Sequence, residues 1–553
     1  MTRALLVALT LTSCASDPEA PVSSEPATSD SAEDTGTPSL PAVAGTFREQ
    51  ALEVDGETRF YLLHVPDTAG PYPVLFDFHG TAGGGAVPAE EAYGLDAAIS
   101  AAEANGFVLV RPRSRSMSSP GYEVYRWDQN PGDPDRNTDF ALALLEALAE
   151  DLPLDLDRVH AMGFSSGTNQ AAMLAELDDS PFAGFGHVGG GAWHSEAQRV
   201  RGRVWMATPY RDYMRAYHHE LVRQLDAAGH PETDRLHRPS MSGHELYDGM
   251  YEELWAWLDR GERPEEGTGL GAGWSVATAP PALAAWADGV DVLLAGPETL
   301  GRWDGTAFVA STVVGSSRIP DAELTGVCLT EGRGMAVGNG AVLWTKDGGV
   351  SFTHLDVDEP GPAMFGYAHW TGVGCDQGTV RGVGYWSAGD TTDGRVFTDV
   401  PFDLGGYRAQ ATTTTGHEGS WVSVGYYKFL AEGTQEQPWR QLGPASWLLD
   451  AAPTLDGGWV AVGDHGTVLR QADDGWDVVD RLGADVELGA VAIRDDGVGL
   501  AVGRQGAAFR SDDAGMSWTP VPLGEGRLLA DVVWRPDGSA LVVGPEGSWR
   551  YTP

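Results

Sequence analysis

Lysine is nearly absent. Among 553 residues only Lys346 and Lys428 carry it, and Asp plus Glu outnumber Lys plus Arg by 79 to 36, for a formal net charge of −43. A surface this acidic repels phosphate backbones, which excludes nucleic acid as a partner. Cysteine is scarce as well, and three residues cannot build a disulfide scaffold. No apolar run approaches the roughly 20 residues that a membrane-spanning helix needs. His and Cys never cluster at zinc spacing and the scattered Asp residues do not follow a calcium-loop pattern, so neither a metal nor a cofactor is expected. What the chain does have is glycine (73) and tryptophan (19), the composition of many tight turns and aromatic-packed strands. Its length suggests two or three domains at about 150 residues each.

Residues 1–14 have the form of a signal peptide. Arg3 supplies a positive charge, Ala4 to Thr12 a short apolar core, and Leu11-Thr12-Ser13-Cys14 small residues at a cleavage point. The last four resemble a bacterial lipobox, which implies lipidation of Cys14 and attachment to a membrane through that anchor only; Ala15 in place of Asp implies the outer membrane and the cell surface. An ordinary secretory signal is the other reading. Residues 15–45 contain no Lys, Arg or aromatic residue before the region ends and are rich in Ser, Pro, Thr, Asp and Glu. They cannot bury enough apolar surface to offset their ordering entropy, so a disordered linker is expected.

Residues 46–262 alternate short apolar strands with amphipathic stretches. Phe47–Val54 and Thr58–Val65 flank the turn Asp55-Gly56; strands are expected at Val74–Phe78, Phe107–Val110, Arg158–Met162, 186–192 and 203–208, with helices at Ala89–Ala104, Thr138–Glu150 and after Ser166. That alternation predicts a mostly parallel sheet covered on both faces. Gly163-Phe164-Ser165-Ser166-Gly167 joins such a strand to such a helix, the context of a nucleophile elbow, in which the two glycines allow a sharp turn that exposes Ser165. A structural Gly-rich turn is the competing reading. Serine needs a base held in the right tautomer, and in this fold the order is serine, acid, histidine. Asp212, just beyond the strand Val204–Thr208, and His244, in Ser242-Gly243-His244-Glu245, satisfy that order; His194 is the second choice for the base. The backbone N–H groups of Thr81 and Ser166 are the candidates for an oxyanion hole. Trp127, Trp193 and His194 follow strand ends where pockets form and are candidates to line a substrate, with core packing the alternative for the tryptophans.

His79-Gly80-Thr81-Ala82-Gly83-Gly84, the run Asp155–Met162 into the elbow, and Gly243-His244 resemble the polyhydroxybutyrate depolymerase and feruloyl esterase group of α/β-hydrolases over about 210 residues. The resemblance implies an exported serine carboxylesterase acting on polyesters or acylated polysaccharides. The chain departs from the group at Thr168-Asn169, after the elbow, and in lacking cysteines near the oxyanion strand.

Residues 263–272 read as a linker and 273–553 as a repeat array. A small-apolar pair before glycine recurs at Gly296, Gly338, Gly384, Gly425, Gly463, Gly503 and Gly544, with spacings of 42, 46, 41, 38, 40 and 41 residues. Seven such copies predict a seven-bladed β-propeller. The last copy has three strands, and Gly273–Ala277 is expected to supply its fourth. Thr345-x-Asp347-x-Gly349-x-x-Phe352 and Ser511-x-Asp513-x-Gly515-x-x-Trp518 match the Asp-box pattern and make the array similar to BNR-type propellers. Ser317-Arg318-Ile319-Pro320 is similar to a sialidase motif but falls after the first blade, out of place for that family. Cys328 and Cys375 lie on equivalent strands of consecutive blades, offset by one residue from a shared Thr-Gly-Val. Strand side chains alternate faces, so the offset turns both thiols to one inter-blade interface, where a disulfide is expected, or else two buried thiols.

The fold class expected is therefore α/β plus all-β, an α/β-hydrolase domain followed by a seven-bladed β-propeller. The function expected is hydrolysis of an ester substrate, which can be polymeric, with the propeller binding a ligand that the sequence does not name. Two other readings stand beside it. One is a prolyl oligopeptidase-like peptidase, although those place the propeller before the catalytic domain. The other is a non-catalytic surface adhesion protein, against which the intact Ser165, Asp212, His244 order speaks.

Overall fold

The computed structural model describes residues 43–553 other than 84–86, 120–121, 128–135, 191–196, 213, 248, 264–268, 316–322, 340, 356–369, 385–387, 400–410, 426–428, 435–439, 442–446, 473–474, 484–485 and 525. Cys14, Trp193, His194 and Ser317–Pro320 thus lie outside the described residues. The chain divides into two compact units. The first comprises the chain up to Met206 with Glu220–Leu236 and Tyr251–Glu262; the second comprises Ala207–His219, His237–Met250 and Arg263–Pro553. A contiguous boundary at 262 is therefore replaced by one that hands two short segments of the expected hydrolase region to the second unit.

The first unit is organised on an eight-stranded sheet in the spatial order Gly45–Val54, Glu57–Val65, Val108–Pro112, Tyr72–Phe78, Leu154–Phe164, Gly184–Val188, Arg203–Ala207 and Arg235–His237. The first two strands form an antiparallel hairpin around Asp55-Gly56. Tyr72–Phe78 runs parallel to both Val108–Pro112 and Leu154–Phe164, which in turn is parallel to Gly184–Val188. The central strands are buried on both faces, which explains their unbroken apolar reading. Helix Arg136–Asp151 buries Phe140, Ala141, Leu144, Leu145 and Leu148, the three-and-four spacing of a single helical face, against Phe76, Phe78, Val159 and Phe182. Each such Phe or Leu contributes about 2–3 kcal/mol by leaving water. The helix expected at Ala89–Ala104 begins later, at Leu95, behind a 3₁₀ turn at Ala89–Glu91. Tyr93 and Gly94 both take positive φ between them, and that break ends helical periodicity.

The second unit contains seven sheets of four or five strands. Their first strands, Ala284–Asp288, Glu323–Thr330, Trp370–Asp376, Ala411–His417, Leu448–Pro453, Leu488–Ile493 and Asp531–Trp534, pack each on the next and the last on the first, closing a ring. The chain's second unit is thus a seven-bladed β-propeller. Trp274–Val276 pairs antiparallel with Gly547–Tyr551 and completes the last blade as its fourth strand, which leaves no blade with a missing edge. Cys328 and Cys375 are joined by a disulfide, with Cα atoms 5.7 Å apart, between the inner strands of two consecutive blades. In both Asp-box turns the Ser or Thr hydroxyl accepts the glycine N–H and the Asp carboxylate accepts a Ser N–H four residues on, at 2.8–3.0 Å, while Phe352 and Trp518 are buried. These turns hold blades together, as satisfied backbone groups and buried aromatics do.

Candidate active site

The strand Leu154–Phe164 breaks into helix Gly167–Ala175 with one residue of unusual conformation between them. Ser165 has φ +51°, a region that costs a non-glycine residue about 1–3 kcal/mol and persists only where the surroundings impose it. The surroundings are visible. The Ser165 N–H donates to Val188 O at 2.8 Å, and Thr168 donates through its hydroxyl to Ser165 O at 2.6 Å. A Cβ on Gly163 would lie 2.0 Å from Gly167 O, and one on Gly167 would lie 2.0 Å from Phe78 O. Only glycine fits at either place, so the sharp turn and the two glycines require one another.

The loop after the neighbouring strand lies against this corner. A Cβ on Gly80 would lie 3.4 Å from Ser165 Cβ, which puts the Gly80–Thr81 peptide beside the serine. That loop is braced from below. His79 donates from Nδ1 to Gly80 O at 2.6 Å and accepts the Ser114 N–H at Nε2, 3.1 Å away, so its tautomer is fixed. Burial pushes its pKa down to about 3. His79 is therefore neutral and structural, and no base. Thr81 O accepts the Tyr93 hydroxyl at 2.5 Å. Beneath the strand end, buried Asp77 accepts from Arg111 Nε and from the Tyr251 hydroxyl, each at 2.9 Å. Burial raises the Asp77 carboxyl and Arg111 opposes that rise. Asp77 had a signal in the sequence, a charge inside the apolar run Val74–Phe78, but its partners lie far away in the chain and no local pattern names them.

Trp127 is a correction. It is 1% exposed, donates its indole N–H to His79 O at 2.8 Å and packs edge-on against Phe78. It supports the loop from the core and is closed to substrate.

Asp212 and His244 belong to the second unit. Asp212 is fully buried, and both of its carboxylate oxygens lie 3.1 Å from His244 Nδ1. A carboxylate only accepts, so Nδ1 carries the proton and Nε2 is the basic nitrogen. Asp212 Oδ1 also accepts the Met214 N–H at 2.8 Å. The two segments that carry the pair run side by side: the Tyr210 N–H donates to Ser240 O and the Arg211 N–H to Ser242 O. Ser165 and Ser166 thus lie at a strained elbow in one unit with Thr81 nearby, and Asp212 and His244 form a hydrogen-bonded pair in the other. Among the described residues no group of His, Cys, Asp and Glu is arranged to hold a metal ion.

No protein-family profile matches the chain. Over 154 residues it is 34% identical to "Putative esterase NocK" of Nocardia uniformis subsp. tsuyamanensis, a match that covers 27% of this chain and 43% of that protein. The chain therefore spans less than half the length of that curated relative. Among solved structures, YCF48 bound to D1 peptide is 18% identical and YCF48 from Cyanidioschyzon merolae 15% identical, with TM-scores of 0.42 in both cases. They cover 52% and 51% of this chain and 100% and 99% of their own. The chain is thus similar in part to an esterase.

Proposed function

We propose that the chain is a serine carboxylesterase of the polyhydroxybutyrate depolymerase and feruloyl esterase class, its first unit an α/β-hydrolase domain. The observation that carries this reading is the elbow: a non-glycine residue at positive φ between a buried parallel strand and a helix, held there by two glycines that nothing larger can replace. Partial similarity to an esterase supports the hydrolase part of this reading.

The proposed reaction is acyl transfer. Ser165 Oγ attacks the ester carbonyl carbon while His244 Nε2 takes its proton. Asp212 holds the imidazole in the tautomer that makes this possible and stabilises the imidazolium once formed. The carbonyl oxygen becomes an oxyanion and accepts hydrogen bonds from the Thr81 and Ser166 N–H groups, worth about 3–4 kcal/mol per donor. The C–O bond to the alcohol then breaks, and the alcohol leaves with the proton from His244. Water, deprotonated by His244, releases the acid from the acyl-enzyme. His79, with its depressed pKa, cannot compete for the proton.

An exported, lipid-anchored protein at the cell surface is the location we propose, supported by Leu11-Thr12-Ser13-Cys14. Membrane fractionation of a Cys14→Ser protein checks it: retention in the membrane fraction sinks the anchor.

The test of the function is activity of the purified protein on p-nitrophenyl, feruloyl and polyester substrates beside aminoacyl-amides, with labelling by a fluorophosphonate. Ester hydrolysis and labelling that vanish together in Ser165→Ala support the proposal. Labelling that persists in that variant names a different nucleophile, and hydrolysis confined to amides names a peptidase.

A further inference from the structure

A β-propeller offers its ring of inner strands as a place for ligands, and the ring of this chain is met by the chain's own segments Ala207–His219 and His237–Met250. Arg211, the residue before Asp212, donates to Leu449 O at 2.6 Å on one inner strand. Its charge acts on Asp450 of that strand and on Asp531 of another, two carboxylates on non-adjacent blades that also act on each other. Arg215, whose N–H donates to Asp212 O at 3.0 Å, binds Glu323 of a third inner strand through both Nε, at 2.7 Å, and Nη2, at 3.2 Å. His219 Nε2 lies 3.0 Å from the same carboxylate.

The second segment is held on the same ring. Ser240 Oγ donates to Glu487, with the two carboxylate oxygens 2.9 and 3.0 Å away, and Glu487 also accepts the Met241 backbone N–H. Arg504 stacks over the Tyr247 ring at 3.8 Å. Tyr210 and Met241 share an apolar cluster with Leu283, Leu528 and Ala530. Arg215, Glu323, Ser240 and Glu487 are all nearly buried. Buried charges on opposed partners fix a geometry strongly, because removing one leaves the other without compensation.

We infer that the propeller is the clamp that sets the acid–histidine pair, with Glu323 and Glu487 as positioning residues that act on Asp212 and His244 through Arg215 and Ser240. This rests on the esterase reading for its chemistry, though not for its geometry. The propeller then contributes to turnover of every substrate, including esters too small to reach a separate binding face.

The test uses the full chain with Glu323→Gln, Glu487→Gln and the milder Ser240→Ala. The probes are p-nitrophenyl acetate and a small fluorophosphonate, which have no polymer for a binding module to hold. A displacement of about 1 Å in a catalytic group costs on the order of 100-fold in rate, so labelling and kcat should each fall by about 10–100-fold, with KM within about twofold. Hydrogen exchange should quicken in 207–219 or 237–250 while the strands Trp370–Gly384 stay protected. Labelling and exchange that both match the parent protein overturn the clamp. So does a defect seen only on polymer substrates, which instead makes the propeller a substrate-binding module. A general loss of protection in Glu323→Gln or Glu487→Gln shifts the decision to Ser240→Ala, judged by the same two readouts. If Ser165→Ala is still labelled, or the parent protein never is, the esterase reading fails; exchange in the two segments still decides the clamp.

Discussion

The serine corner and the acid–histidine pair are built on opposite principles. Around Ser165 the design is compact: a strand, a two-residue corner and a helix, confined by the ends of two neighbouring strands at Phe78 and Val188. Around Asp212 and His244 little is local. The segments that carry the pair contain only short elements of their own, and partners 108 and 247 residues further along the chain hold them. A corner made by steric exclusion tolerates no side chain at its two glycines and takes its limits from backbone atoms. A pair held by remote charges tolerates sequence drift nearby but fails when the distant scaffold does.

Substitutions can separate the two. Asp212→Asn should leave both units folded and lower kcat by about 10⁴-fold, because the wrong imidazole tautomer is then favoured; a loss under tenfold would mean that Asp212 does not orient the base. Replacing Cys328 and Cys375 by serine removes the disulfide between two consecutive blades. For a separation of 47 residues the second unit should lose about 4 kcal/mol, read by denaturant unfolding, while the first unit keeps its stability. Gly167→Ala should do the reverse. Its methyl meets the Phe78 carbonyl, and about 3 kcal/mol should be lost from the first unit, with labelling lost too and the propeller unaffected. Equal melting of both units in either variant would erase the distinction.

The smallest effect concerns pH. Burial, and for Asp531 the charge of Asp450, raise these two carboxyls from 3.8 to about 7 and about 6, with Arg211 opposing the rise. The folded ring therefore binds more protons than the unfolded chain between about pH 4 and 7, and its stability should fall as pH rises through that window. Glu323 works the other way. Burial pushes it up, but Arg215 and His219 bring it to about 2, so its contribution is lost as pH falls below about 4.5. Stability of the second unit should thus peak near pH 4–5, and Asp531→Asn should flatten the alkaline side. An unchanged slope in that variant would remove Asp531 from the account.

The same contrast explains what could be read from the amino-acid order. The elbow was legible because its glycines, strand and helix are adjacent, and the blades were legible because each repeats the last. The extra strand at Trp274–Val276 followed from counting. The helix start at Leu95 was not, since Tyr93 at positive φ carries no sequence mark. Trp127 at a strand end reads equally as a platform or as core, and only its hydrogen bond to His79 decides. Glu323 and Glu487 look like any of the 79 acidic residues until Arg215 and Ser240 are seen against them.

Closure of the last blade by Trp274–Val276 against Gly547–Tyr551 has a consequence in time. The segments carrying Asp212 and His244 leave the ribosome about 300 residues before the closing strand, on the order of 15–60 s at about 5–20 residues per second. Throughout that interval the acceptors of Ser240 and Arg211 either do not exist or belong to an open arc. The nascent chain thus contains the strained corner at Ser165 long before it can hold the hydrogen-bonded pair of Asp212 and His244.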